Sequence, residues 1–154
     1  MNNANPIMIY IDGDACPVKD EVLKVSYRHD LKVYLVSNQW LRMDVGPLVE
    51  KIVVSEGADE ADNWIADNIG KGGIAITADI PLAKRCLDAG GVALGPTGRA
   101  FTHENIGLAI GMRELKQHLR ETGESKGYNA SFTKADRSNF LQSLEREIQR
   151  IKNS

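Results

Sequence analysis

Two rhythms of apolar residues alternate along residues 7–94. The first is a set of short apolar runs at Ile7–Ile11, Lys32–Ser37, Lys51–Val54, Ile74–Thr77 and Val92–Leu94. Most are rich in Val and Ile and bounded by Gly, Asp or Ser, which is how strands buried in a parallel sheet read. The second is helical spacing, at Val18–Arg28, Glu60–Ile69 and Leu82–Ala89. Val18, Val22 and Val25 share one face, as do Ala61, Trp64, Ile65 and Ile69. Strand and helix in repeated alternation imply right-handed crossovers. The pattern predicts a three-layer α/β fold: a mostly parallel sheet of four to five strands with helices on both faces. Asp44–Glu50 breaks the rhythm at Gly46-Pro47 and reads as a loop with one helical turn at most.

After Leu94 the strand signals stop. Gly95-Pro96-Thr97-Gly98 is a turn. His103–Glu121 reads as a long helix with an apolar stripe of Ile106, Ala109, Ile110, Met112 and Leu115. Gly107 and Gly111 lie on one face of it and permit close packing. Thr122–Thr133 is rich in Gly, Ser and Lys and reads as a mobile loop. Asp136–Lys152 reads as a final amphipathic helix on Phe140, Leu141, Leu144 and Ile148. The expectation is a single domain over 1–154, with 99–154 a helical C-terminal extension packed on it.

The 154 residues suit one domain, and 42% hydrophobic with 26% charged residues argues against wholesale disorder. No apolar run approaches the roughly 20 residues of a membrane-spanning helix. Ile7–Ile11 is too short for a signal peptide, so a cytoplasmic location without a membrane partner is expected. Cys16 and Cys86 fit no metal or CxxC spacing and are expected as free thiols. Charge is unevenly spread. Residues 1–112 carry 10 Lys/Arg against 15 Asp/Glu, and residues 113–154 carry 9 against 6. An acidic body with a basic tail section suits a metal site beside a phosphate-binding surface, although an ordinary solvated helix face gives the same count.

The acids are better placed than such a face requires. In an open parallel sheet, ligands bind where the strands' C-terminal ends meet helix N-termini. Asp12 and Asp14 end the first strand, and their i, i+2 spacing puts both on one side if the strand persists. Asp59 and Asp62 open the helix after the third run, and Asp79 follows the fourth. Capping or a favourable helix dipole accounts for Asp14, Asp59, Asp62 and Asp79 taken singly. Asp12 has no capping duty, and a carboxylate at the end of an apolar strand is costly without a partner. Gathered together, these acids would repel one another unless a cation intervened, and hard oxygen donors suit Mg²⁺ or Mn²⁺. Such a group typically activates phosphoryl oxygens.

Lys19 and Lys84 sit one turn past strand exits, within reach of a bound phosphate or simply solvated. Asn38 follows the second strand and supports a site or makes a turn. Arg99, Asn105 and Arg113 flank the long helix, whose start Thr102 caps equally well without a ligand. His29, His103 and His118 have no ligand spacing and receive no role.

The motifs IDGDACPVK (11–19), GADEAD (57–62), ITADIPLAKRCLDAG (76–90), RAFTHENIGLAIGMREL (99–115) and TKADRSNF (133–140) together resemble the bacterial YaiI/YqxD family over nearly the whole chain. Its fold resembles the PIN-like domain, a group rich in Mg²⁺/Mn²⁺-dependent nucleases. The resemblance implies that Asp12 is the first-strand aspartate of such nucleases. Asp59 or Asp62 takes the place of the helix acid, and Asp79 that of the fourth-strand aspartate. Asp14 is an extra acid of the YaiI/YqxD type. The last acid of many PIN nucleases has no counterpart after Asp79, since Asp88 falls too far along the next helix.

The reading that follows is a metal-dependent nuclease acting on nucleic acid, RNA first. Asp12, Asp14 and Asp79 are the catalytic candidates, and Asp59 and Asp62 join them as metal ligands. Lys19, Asn38, Arg99 and Arg113 are the candidate substrate contacts. Two alternatives stand beside it. Asp12-Gly13-Asp14 with Ser37-Asn38 mimics a haloacid-dehalogenase-type phosphatase, but Asp12–Leu31 has room for only one helix and Asp79 stands without a second acid. A non-catalytic PIN-like module binding RNA or protein is the other.

Overall fold

The computed structural model describes residues 7–13, 16–39, 46–57, 59–108 and 132–153. Five strands, β1 (Met8–Asp12), β2 (Lys32–Ser37), β3 (Val49–Val53), β4 (Gly73–Ile76) and β5 (Val92–Leu94), form one sheet in the order β3-β2-β1-β4-β5. Every neighbouring pair is parallel. The helices are α1 (Lys19–His29), α2 (Glu60–Asn68), α3 (Ile80–Asp88), a helical stretch over 103–108, here α4, and α5 (Lys134–Lys152). The three-layer α/β expectation holds, and the sheet is wholly parallel.

Alternation along the strands sorts side chains between two cores. Ile9 and Ile11 of β1, Val33 and Leu35 of β2, and Ile74 and Ile76 of β4 meet α1 and α5 on one face. Tyr10, Val36, Ala75 and Ala93 meet α2, α3 and Ile106 of α4 on the other. The strand path explains this division. From β1 the chain steps outward to β2, and from β4 it steps the opposite way to β5. Right-handed crossovers then put α1 and α3 on opposite faces. The crossovers leave Ile74, Ile76 and Leu94 to be covered on the α1 side, and α5 does so with Phe140, Leu144 and Ile148, all fully buried.

Element ends differ from the periodicity reading in instructive ways. β3 begins at Val49, two residues before the apolar run, because Val49 pairs with Val33 of β2. The end of Asp44–Glu50 is therefore strand, not a helical turn. β3 is an edge strand with Val53 51% exposed, so it is not buried on both faces. α3 starts at Ile80 with Pro81 in its first turn, where a missing N–H costs nothing. α5 starts at Lys134, because Thr133 and Asp136 form a reciprocal capping box. Of the helix expected at His103–Glu121, 103–108 is helical, and the rest lies outside the described residues, as does most of the loop expected at Thr122–Thr133. Among the described residues no helix is long and apolar enough to cross a membrane.

α5 is also tied to α1 by polar contacts. Arg137 Nη1 donates to Glu21 Oε2 at 2.9 Å. Lys152 Nζ donates to His29 Nδ1 at 2.9 Å, so the ring proton is on Nε2, which donates to Glu145 Oε1 at 2.9 Å. Hydrogen bonds from Gln149, His29 and Arg28 hold the Glu145 carboxyl down at about 2. His29 thus has a structural role.

The turn after β5 is clamped to α5. Gly98 has φ 94°, and a Cβ there would lie 2.6 Å from the Asn139 carbonyl oxygen. Ser143 Oγ donates to the Gly98 carbonyl at 2.6 Å. Gly98→Ala should therefore destabilise the protein by on the order of 2 kcal/mol, read as a lower urea midpoint with an unchanged slope.

Candidate metal and phosphate site

The strand order reverses between β1 and β4, and open α/β sheets bind ligands at the carboxyl end of such a reversal. A cleft of about 360 Å³ opens there, lined by Asp12, Cys16, Thr77, Asp79, Ile80 and Pro96 among others. Asp12 is the last residue of β1 and is half-buried. Thr77, one residue past β4 and only 3% exposed, donates from Oγ1 to Asp12 Oδ2 at 2.9 Å. The same hydroxyl oxygen accepts the Asp79 N–H at 3.0 Å. Asp79 in turn caps α3, its Oδ1 accepting the Leu82 N–H at 2.9 Å. One chain of hydrogen bonds therefore orders Asp12, Thr77 and Asp79 across the reversal point.

Asp62 comes to this edge from α2, in its first turn and half-buried. Its carboxyl is pushed up to about 6, first by loss of solvent and then by the charges of Asp79, Asp12 and Asp59. Arg85 of α3 opposes that shift, and its Nη1 donates to Asn63 Oδ1 at 2.8 Å. Asp59 is exposed at the N-cap of α2 but its side chain makes no capping hydrogen bond. Asp62 is thus within the electrostatic reach of the other three acids. Among the described residues, however, no three His, Cys, Asp or Glu side chains form a group that could hold a metal ion. Asp14 and Arg113 lie outside the described residues.

The other expected residues divide. Lys19 opens α1, and its charge reaches Cys16 at the cleft. Asn38 follows β2 at the same sheet edge, half-buried, but does not line the cleft. Lys84 pairs with Asp88 at 3.1 Å, which supports the solvated-helix reading for that lysine. Arg99 lines a neighbouring cleft together with Asn105. Thr102 and Asn105 cap each other reciprocally at the start of α4. Both cysteines are free. Burial is the main cause that lifts Cys16 to about 11 and Cys86 to about 12, so neither thiol is a ready nucleophile.

Sequence reasoning passed over Thr77 and Arg85. Thr77 carries a usable signal: a hydroxyl residue two before an N-cap aspartate can close a local turn. Its bond to Asp12, 65 residues away, has no local signature. Arg85 lies among ordinary helix charges and is picked out only by α2 packing beside α3.

Two expected outcomes follow. Thr77→Val removes the donor to Asp12 and the acceptor for Asp79 N–H, and should cost about 1–3 kcal/mol in urea unfolding, while Thr77→Ser keeps most of the stability. Asp62 titrates higher in the fold than in the unfolded chain, so it binds more protons folded. In EDTA, stability should therefore fall as pH rises from about 4 to about 6. Asp62→Asn should flatten that fall and be more stable than the parent above it, by on the order of 1 kcal/mol once solvent screening is allowed for. Thermal melts across pH read this directly.

Residues 10–150 match the family described as "Uncharacterized BCR, YaiI/YqxD family". A UPF0178 protein of Rhizobium meliloti (strain 1021) is 56% identical over 145 residues, covering 94% of this chain and 99% of its own. One from Agrobacterium fabrum (strain C58 / ATCC 33970) is 55% identical over 148 residues, covering 96% of each chain. One from Caulobacter vibrioides (strain NA1000 / CB15N) is 49% identical over 144 residues, covering 94% of each. No solved structure matches. With identity of this level sustained over more than nine-tenths of its length, the chain belongs to the YaiI/YqxD family.

Proposed function

We propose that this protein is a Mg²⁺- or Mn²⁺-dependent phosphodiesterase, a PIN-like nuclease acting on RNA at the crevice between β1 and β4. The observation that supports it most is the raised Asp62 carboxyl, lifted by loss of solvent and by the fields of Asp79, Asp12 and Asp59. A fold gains nothing from setting like charges against one another at a half-buried edge, and a divalent cation would offset that cost. The donors are all carboxylate oxygens, the set that hard cations prefer. Asp12 and Asp79 would anchor the ion, and Asp62, with Asp59 and Asp14, would act on it through bound water. Because the described acids stand apart, water would complete the coordination, as Mg²⁺ commonly keeps several of its waters. The ion, when bound, supplies an activated water and charge stabilisation on a phosphoryl oxygen.

The chain's own contribution is orientation. Thr77 fixes the Asp12 carboxylate, and capping of α3 fixes that of Asp79. Lys19, Asn38, Arg99 and Arg113 are the proposed substrate contacts.

End-labelled single-stranded RNA and DNA, incubated with the protein in Mn²⁺ or EDTA, test this reading. Cleavage should require Mn²⁺ and fall about a hundredfold or more in Asp12→Asn, which keeps an oxygen for Thr77 to bond. Undiminished cleavage by a folded Asp12→Asn variant overturns the assignment. A phosphoaspartate trapped on Asp12 would replace it with the haloacid-dehalogenase-type phosphatase. RNA binding without turnover would replace it with the binding module.

A further inference from the structure

A second cleft, of about 240 Å³, adjoins the acid cleft, and the two share Ala78, Ile80 and Pro96 as a common wall. Its character is different. Ile80, Pro96 and Phe101 make it apolar, and Arg99 gives it a cation. Arg99 is exposed and makes no ion pair among the described residues.

A tight hairpin turn presents these side chains. Gly95 N–H donates to the Arg99 carbonyl at 2.8 Å, and Leu94 bridges Ala100 in antiparallel fashion. Side chains alternate along such backbone. Ala100 packs toward the α1/α5 core, while Phe101 packs toward the α2/α3 core and shares the second cleft with Arg99. The clamp of Gly98 on α5 makes the turn rigid. Asn105 is committed, its Nδ2 donating to the Ala100 carbonyl at 2.8 Å and its Oδ1 accepting the Thr102 N–H. Phe101, Arg99 and the exposed Thr97 are therefore the groups left to meet a ligand.

We propose that the second cleft is a nucleotide subsite of the same reaction. An unpaired nucleobase next to the reacting phosphodiester lies on Phe101, against Ile80 and Pro96, and Arg99 takes the adjoining phosphate. The inference rests on the nuclease reading for what lies in the acid cleft. Contiguity carries it first: one wall serves both clefts, so a group held in one is joined directly to a group held in the other. Charge carries it next. The acids repel a polyanion, and Arg99 draws it in from the far side. Shape then sets the substrate class. A concave apolar slot accepts a base only when that base has left its stack, so single strands, loops and ends fit and continuous duplex does not.

The test uses the full chain carrying Asp12→Asn, in EDTA so that nothing is cut, with a short labelled oligouridylate and a blunt RNA duplex of equal length as probes. Fluorescence anisotropy should show tighter binding of the single strand. Phe101→Leu, which keeps an apolar side chain in place, should weaken it by about tenfold or more with little change in melting temperature. Arg99→Gln should lower the slope of log Kd against log salt by about 0.7, the signature of one lost phosphate contact. Unchanged binding in both variants, equal affinity for duplex, or no binding of either probe overturns the subsite. The two readings separate cleanly. Binding lost in the variants, with no Mn²⁺-dependent cleavage by the wild-type chain, keeps the subsite and removes the nuclease. With Asp12 intact, Mn²⁺-dependent cleavage whose KM is unchanged by Phe101→Leu and by Arg99→Gln removes the subsite and keeps the nuclease.

Discussion

The Thr77 hydroxyl joins the two halves of this molecule at the point where they diverge. β1 begins the half that runs outward to β2 and β3, and β4 begins the half that runs to β5. Nothing in a parallel sheet requires the loops leaving those two strands to meet. A single buried side chain makes them do so, donating to Asp12 from one side and accepting the Asp79 amide from the other. Orientation of both acids, the start of α3 and the wall of the cleft all depend on it.

Against that order stands an electrostatic cost. Asp62 enters the same edge from α2, and its carboxyl holds its proton up to about pH 6. Arg85 relieves only part of this. Proteins commonly accept such local penalties where a ligand will offset them, and the sheet below supplies the stability that makes the penalty tolerable. The two apolar cores are continuous from strand to helix on each face, and the last helix closes the one the crossovers leave open. α5 has a second consequence at the site. By clamping the Gly98 turn it sets the position of Arg99 and Phe101, so an element far along the chain shapes the ground beside the acids.

The amino-acid sequence determined a good deal by itself. Buried strands in a parallel sheet need near-continuous Val and Ile, and helices covering them need an apolar stripe at 3.6-residue spacing, so all five strands and α1, α2, α3 and α5 were legible within about two residues. Local backbone chemistry was legible too, in Asp79 and Thr102 as caps. Where the register reading failed, at Val49, the cause was pairing with β2, which local composition does not encode. Asp12 stood out because a carboxylate ending an apolar strand has no local use.

Tertiary structure alone decided which of these residues meet. The order β3-β2-β1-β4-β5 makes β1 and β4 neighbours although 60 or more residues separate their paired positions, as Met8 with Gly73. That adjacency gives Asp12 the Thr77 hydroxyl, and α2 packing beside α3 brings Asp62 within the fields of Asp12 and Asp79. It also gave Phe101 a cleft that no motif announced. Sequence specifies periodicity and caps because those depend on neighbours along the chain. Hydrogen bonds and electric fields depend on distance in space, and only the folded sheet sets that distance.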